Sequence, residues 1–393
     1  MPRPMRARLL TAGSVTAVAL FTMAAGASAH DRTRGHSHHH QQGSNQFTAS
    51  VFASGAKIDH PIAGGSEPIS NPDDITHLGD HIFVGFQNGV GPQGQASASG
   101  NTDSTIVEFN LSGHELAQWD VTGKCDGVTA DPQTGQLIAT VNEDANSSVY
   151  LIDPQPGSTP VQYQYSVPLP SYGGTDAISI YHGTVLISAS APGTTGGTAP
   201  SASAPAIYEV WFDQANDIAY VNGLYGDEAP ALVANTNSSS FGTFETLGLT
   251  DPDSNEVVPD YAQRFAGDFM LTSQGDQEQI FDSSPWQPLR VLSLAASVDD
   301  SGWPSDRSDT LYTTDNSNND IIEVTGPFQR GSELAAVTPC DSNNAPSTCP
   351  GPGYPANYLG AVNAYTGVIT PLSVSGPSFA PQGLLLLPGR QDW

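Results

Sequence analysis

From about residue 70 the chain alternates short apolar runs with turn residues, and almost no stretch carries the spacing of an amphipathic helix. Gly, Asp, Asn and Pro punctuate the runs at intervals of roughly eight to twelve residues, as in all-β proteins. The runs group into longer units. Residues 74–78, the turn Gly79-Asp80 and residues 81–86 open one unit, which 105–109 and 115–119 complete. A second unit takes 126–130, 136–141, 149–152 and 161–167. A third takes 176–180, 184–188, 207–211 and 218–221. The fourth is read as 245–249, 269–272, 279–282 and 289–294, with 250–266 inserted in its first hairpin. A fifth opens with 310–314 and 320–324, and runs at 334–337, 358–365, 368–374 and 381–387 supply the end.

One sheet of three or four strands cannot bury both of its faces. Units repeating every ~50 to 70 residues must therefore pack on one another around an axis, which predicts a β-propeller. The count points to six blades. Strands begin near residue 47 and end on 384–387, so the terminal strands should close the ring within one blade. A β-helix or a pair of sandwiches is the competing architecture, although β-helix coils would repeat faster.

Charge narrows the range of partners. The 393 residues hold 40 Asp and Glu against 12 Lys and Arg, a formal charge of −28. So few cations exclude a nucleic-acid backbone binder, and an anionic membrane surface would repel the chain. Neutral or cationic partners and divalent ions are favoured. Residues 1–29 read as a secretory signal: Arg3, Arg6 and Arg8, an apolar stretch from Leu9 to Met23, then Ala27-Ser28-Ala29. The expectation is a secreted, extracellular monomer with no membrane attachment after cleavage. Residues 30–46 form a His-rich tail, with His30, His36, His38, His39 and His40 able to scavenge Zn, Cu or Ni. Residues 47–393 are left for the propeller. In an exported chain Cys340 and Cys349, flanking a polar loop, are expected to form a disulfide, and Cys125 is left as a buried thiol.

No G-x-S-x-G, H-E-x-x-H or G-x-G-x-x-G is present, so serine hydrolysis, zincin chemistry and hydride transfer have no motif behind them. What recurs is an acid at the start of successive units: Asp74, Asp126, Asp176 and Glu245. First strands of blades line the axis, so these acids should meet at one end of the channel. Confined carboxylates need a cation or protons. A hard divalent ion, Ca²⁺ first, suits oxygen ligands, and Asn142, Glu143, Asp315 and Asn316 at the ends of second strands could add to them. Turn capping and blade-to-blade hydrogen bonding are the competing roles. Asp251-Pro252-Asp253-Ser254-Asn255 reads as an Asx-rich turn rather than a calcium loop, and residues 315–320 read as a turn.

Residues 125–132 (Cys-Asp-Gly-Val-Thr-Ala-Asp-Pro), 135–139, 311–324 and 381–385 resemble the six-bladed propellers of the NHL-repeat and gluconolactonase/senescence-marker group. The resemblance implies an axial divalent ion that polarises a lactone carbonyl, with an Asp assisting the water. Asp126 is the position similar to that Asp. The family's Glu-Gly-Pro and Ser-Asn-Gly ligand sites have no clear counterpart here. Three functions follow. One is an extracellular binding module for a neutral small molecule or a protein. Another is a divalent-metal-dependent hydrolase or lyase, lactonase-like, with Asp126 catalytic. The last is metal capture by the His-rich tail.

Overall fold

The computed structural model describes residues 46–62, 64–170, 173–192, 204–283, 287–339 and 357–389. All belong to the second of two compact units, Gly43–Trp393. The signal segment, the histidines of the tail, and both Cys340 and Cys349 lie outside the described residues. Cys125 is a free, buried thiol. The described residues form strands and turns plus one short 3-10 turn at Gly55–Lys57. No helix among them is long and apolar enough to cross a membrane.

The strands lining the axis are β1 (Pro72–Leu78), β2 (Cys125–Asp131), β3 (Thr175–Tyr181), β4 (Pro252–Val257), β5 (Val298–Gly302) and β6 (Leu384–Leu387). Each lies beside the next and β6 returns to β1, so the ring closes. Each is also the innermost member of an antiparallel set of strands, which makes the unit a β-propeller. The sets of β2 and β3 join at their outer edges, where Val161–Tyr165 pairs parallel with Ile218–Gly226.

Two sequence readings are corrected. The inner strand of the fourth set is β4, which lies inside the segment taken as an insertion and includes the expected Asx turn. Of the expected inner strand, 245–249, only the first two residues are in a strand, Phe244–Thr246, and that strand is the outermost edge of the sheet. Burial explains the difference: Phe244, Glu245 and Thr246 are all exposed, whereas Pro252, Ser254 and Asn255 of β4 are buried. The second correction concerns the fifth unit, which starts at β5. From there the chain leaves its own sheet. It forms Thr310–Asp315 and Asp320–Thr325 in the sheet of β6, then returns through Glu333–Val337, Tyr358–Val362 and Ile369–Pro371 to complete the sheet of β5. The sheet of β6 also takes the first strand, Phe47–Ser54, paired antiparallel with Asp320–Thr325. The terminal strands therefore share one sheet, as expected.

Apolar clusters fill the spaces between adjacent sheets. Side chains alternate across each strand, so one strand serves two clusters. Ile82, Val84 and Phe86 pack toward the β6 sheet with Leu385 and Leu387, whereas Phe83 packs toward the β2 sheet with Leu137 and Ile152. Because both faces are buried, these strands read as unbroken apolar runs.

Candidate functional site

The first residues of the inner strands share one backbone device. In β1 to β5 an extra residue opposes the neighbouring strand: three steps from Pro72 to Ile75 face two from Phe86 to Val84. The same shift recurs at Cys125/Val128, Thr175/Ile178, Pro252/Asn255 and Val298/Ser301. Such bulges re-aim side chains. The residue after each bulge start is an aspartate: Asp73, Asp126, Asp176, Asp253 and Asp299. Gln382, two residues before β6, holds the corresponding place. All six line one axial cavity of about 1090 Å³.

Second-strand hydroxyls fix this ring. Thr140 Oγ1 donates to the Asp176 carbonyl (2.6 Å), Ser188 Oγ to that of Asp253 (2.6 Å), and Thr314 Oγ1 to that of Asp73. Gly127 is required by the same close approach: a Cβ there would lie 2.5 Å from the Asp176 carbonyl oxygen and 2.7 Å from Thr140 Oγ1.

The electrostatics are one-sided. Ten carboxylates line the cavity, and Lys124 is the one Lys or Arg lining it among the described residues. Lys124 Nζ lies 2.6 Å from Asp126 Oδ1 and also pairs with Glu143. Burial disfavours its charge, but Asp126, Glu143 and Asp73 outweigh that and hold its pKa well above the usual lysine value. Gln87 Nε2 bridges Asp73 Oδ2 (2.8 Å) and Asp126 Oδ1 (3.1 Å), and Gln274 Nε2 donates to Asp299 Oδ1 (2.7 Å). Asp126 Oδ2 is buried with no hydrogen-bond partner. Burial, then the charge of Glu143, pushes Asp126 up to about 7 against the pull of Lys124. Burial and the neighbouring Asp126 raise Asp73 and Asp176 as well, and burial with Asp176 and Asp299 raises Asp253.

Of the expected ligands, the structure brings Asp74, Asp126 and Asp176 to the cavity but not as one donor set. Asp74 is one residue past the ring. Its carboxylate accepts the amides of Ile75 and Val128, both at 2.7 Å, and so ties β1 to β2. Burial pushes it up to about 7. Asp300 ties β5 to β6 in the same way, through the amides of Ser301 and Leu384. Asn142 uses its amide oxygen on the Lys124 amide (3.0 Å), and Asp315 is fully buried and accepts from Asn318. Glu245 is a correction: it is exposed on the outer edge strand, away from the axis. Among the described residues no three His, Cys, Asp or Glu side chains are placed to share a metal ion. Of the expected Ca²⁺ ligands, Asp74 is engaged by backbone amides, Asp315 by Asn318 and Asp126 Oδ1 by Lys124.

The sequence reading missed Asp73, Asp253, Asp299 and Lys124. The signal was present, because X-Asp-X-X recurs with Pro, Cys, Thr, Pro and Val in the first place, from Pro72, Cys125, Thr175, Pro252 and Val298. It becomes visible only when β4 and β5 are recognised as inner strands.

No family model matches the chain, and no curated protein does. Among solved structures, a Bacteroides caccae protein of unknown function is similar at 10% identity and a TM-score of 0.45, over 88% of this chain and 99% of that one. A periplasmic gluconolactonase from Pseudomonas aeruginosa is similar at 10% identity and a TM-score of 0.43, over 84% of this chain and 91% of that one. A β-propeller domain from Myceliophteria thermophila is similar at 12% identity and a TM-score of 0.39, over 81% of this chain and 77% of that one.

Proposed function

We propose that the chain is an exported six-bladed propeller whose axial channel binds a small cation. The observation that carries this reading is the cavity wall: ten carboxylates facing Lys124, with Asp126 Oδ2 buried and unpartnered. Confined acids of one sign lower each other's acidity until a cation neutralises them. A neutral ligand would leave that repulsion in place, so of the neutral and cationic partners that the charge balance allows, a cation is favoured. Calorimetric titration with methylammonium, guanidinium and Ca²⁺ tests it. The organic cations should bind the full chain, and Asp126→Asn should weaken them at least tenfold. Failure of both organic cations to bind would refute the reading.

A second reading keeps the same aspartate in catalysis. Asp126, held near 7 with one unpartnered oxygen, has the protonation behaviour of a general base acting near neutral pH. On a lactone or ester it would take a proton from water as the water oxygen attacks the carbonyl carbon, and return that proton to the departing oxygen as the acyl C–O bond breaks, while Lys124 holds its other oxygen. Turnover of glucono-δ-lactone in a pH-stat, lost in Asp126→Asn, would favour this reading. No turnover above background would dismiss it for that substrate.

A further inference from the structure

The cavity is not uniform along its length. Its acidic end is the ring of bulge aspartates. Two further buried groups there, Ser254 Oγ and Asn255 Oδ1, have no hydrogen-bond partner, and their residues are 9% and 3% exposed. The middle is lined by Thr76, Thr129, Ser179 and Glu256. Past these, where the inner strands end, the apolar Ile180, Val257, Tyr261, Leu386 and the largely buried Trp303 join the lining beside Gln133 and His182. All six inner strands run in the same direction from the acidic end, so the carboxylates gather at one end of the axis and larger apolar side chains at the other.

We infer that the occupant of the channel is an elongated organic cation, with an ammonium or guanidinium head at the bulge aspartates and an apolar tail reaching Trp303 and Val257. The inference rests on the cation reading above and names its ligand class. Asp126 Oδ2, in the ring and without a hydrogen-bond partner, is an acceptor that a head group with N–H donors would satisfy. A bare metal ion would find no shared donor set there. From Asp126 to Ala130 the chain advances four residues, roughly 13 Å at the rise of a β-strand. A ligand that satisfied only the acids would leave the apolar end in water. A tail of similar reach removes both surfaces from water, and a cavity of about 1090 Å³ can hold such a molecule.

The test is calorimetric titration of the full chain with methylammonium, octylammonium and octanoate, below micellar concentrations. Burial of a methylene strengthens binding roughly fourfold. Octylammonium should therefore bind at least a hundredfold more tightly than methylammonium, and octanoate should not bind. Val257 is 37% exposed, so Val257→Asp is tolerated by the fold. It should weaken octylammonium and strengthen 1,8-diaminooctane, whose second ammonium would meet the new carboxylate. Equal affinities for methylammonium and octylammonium would overturn the tail and leave the cation reading standing. Failure of every ammonium to bind, or binding of octanoate as tight as that of octylammonium, would overturn both.

Discussion

Asp126 and Lys124 set the chemistry of the acidic end through a single buried contact. Lys124 has an 18% exposed side chain and Asp126 a 4% exposed one, so removing the ammonium strands a carboxylate. Lys124→Met should destabilise the fold by about 3 kcal/mol at pH 8, the usual scale for a broken buried pair. At pH 5 the loss should be much smaller, because Asp126 is held near 7 and is protonated there. Urea denaturation at the two pH values checks this; an equal loss at both would show that it does not depend on the charge of Asp126. Asp126 was legible as a candidate from its place before Gly127-Val128. Its partner was not, because lysine carries no motif and the pairing depends on the bulge turning Asp126 back toward Lys124.

At the scale of the strand, the repeated bulge positions the site. It puts an aspartate on the axis and leaves the next residue against the neighbouring strand. That next residue is Gly127 in β2 because its space is filled by the Asp176 carbonyl and Thr140 Oγ1. Gly127→Ala should cost about 1–3 kcal/mol through overpacking, with strands and carbonyl forced apart. Thermal denaturation measures the cost. A neutral result would mean that the neighbouring strand yields freely. Most strands were legible as apolar runs; residues 136–141 fall where expected. The failures were β4 and β5. Pro252-Asp253-Ser254-Asn255 and Val298-Asp299-Asp300-Ser301 are too polar to read as strands, because their side chains serve the channel and the neighbouring sheet rather than a core.

For the molecule as a whole, closure and pH matter most. The last sheet joins Phe47–Ser54 to Leu384–Leu387 through two intervening strands, so both ends of the chain hold one ring. Deleting 384–389 removes buried Leu384, Leu385 and Leu387 and opens the ring. The melting transition should broaden and fall by more than 10 °C, since each lost leucine alone is worth about 2–5 kcal/mol. An unchanged transition would deny that closure supports cooperativity. The pH dependence follows from Asp74 and Asp126, both raised from the ordinary carboxylate value to about 7. Between pH ~4 and ~7 the native state holds protons that the unfolded chain has released, so stability falls as pH rises through that window. The ligand-free melting temperature should be higher at pH 5 than at pH 8, and a bound organic cation should flatten the profile. A melting temperature that rises over the same range would show that these carboxyls are ionised throughout.

The sequence alone determined the all-β character, the repeat that calls for packing around an axis, the late start and terminal closure, and the excess of acid. These follow from local periodicity and composition, which each segment carries by itself. Only the tertiary structure decided which aspartates meet. Asp74, one residue from the ring, holds β2 instead, and Glu245 faces outward. A bulge shifts every side chain after it by one position, and the interleaved strands from 310 to 325 join a sheet whose other members come from both ends of the chain, at 47–54 and 374–387. Neither effect leaves a local pattern, because both arise from how separate strands pair.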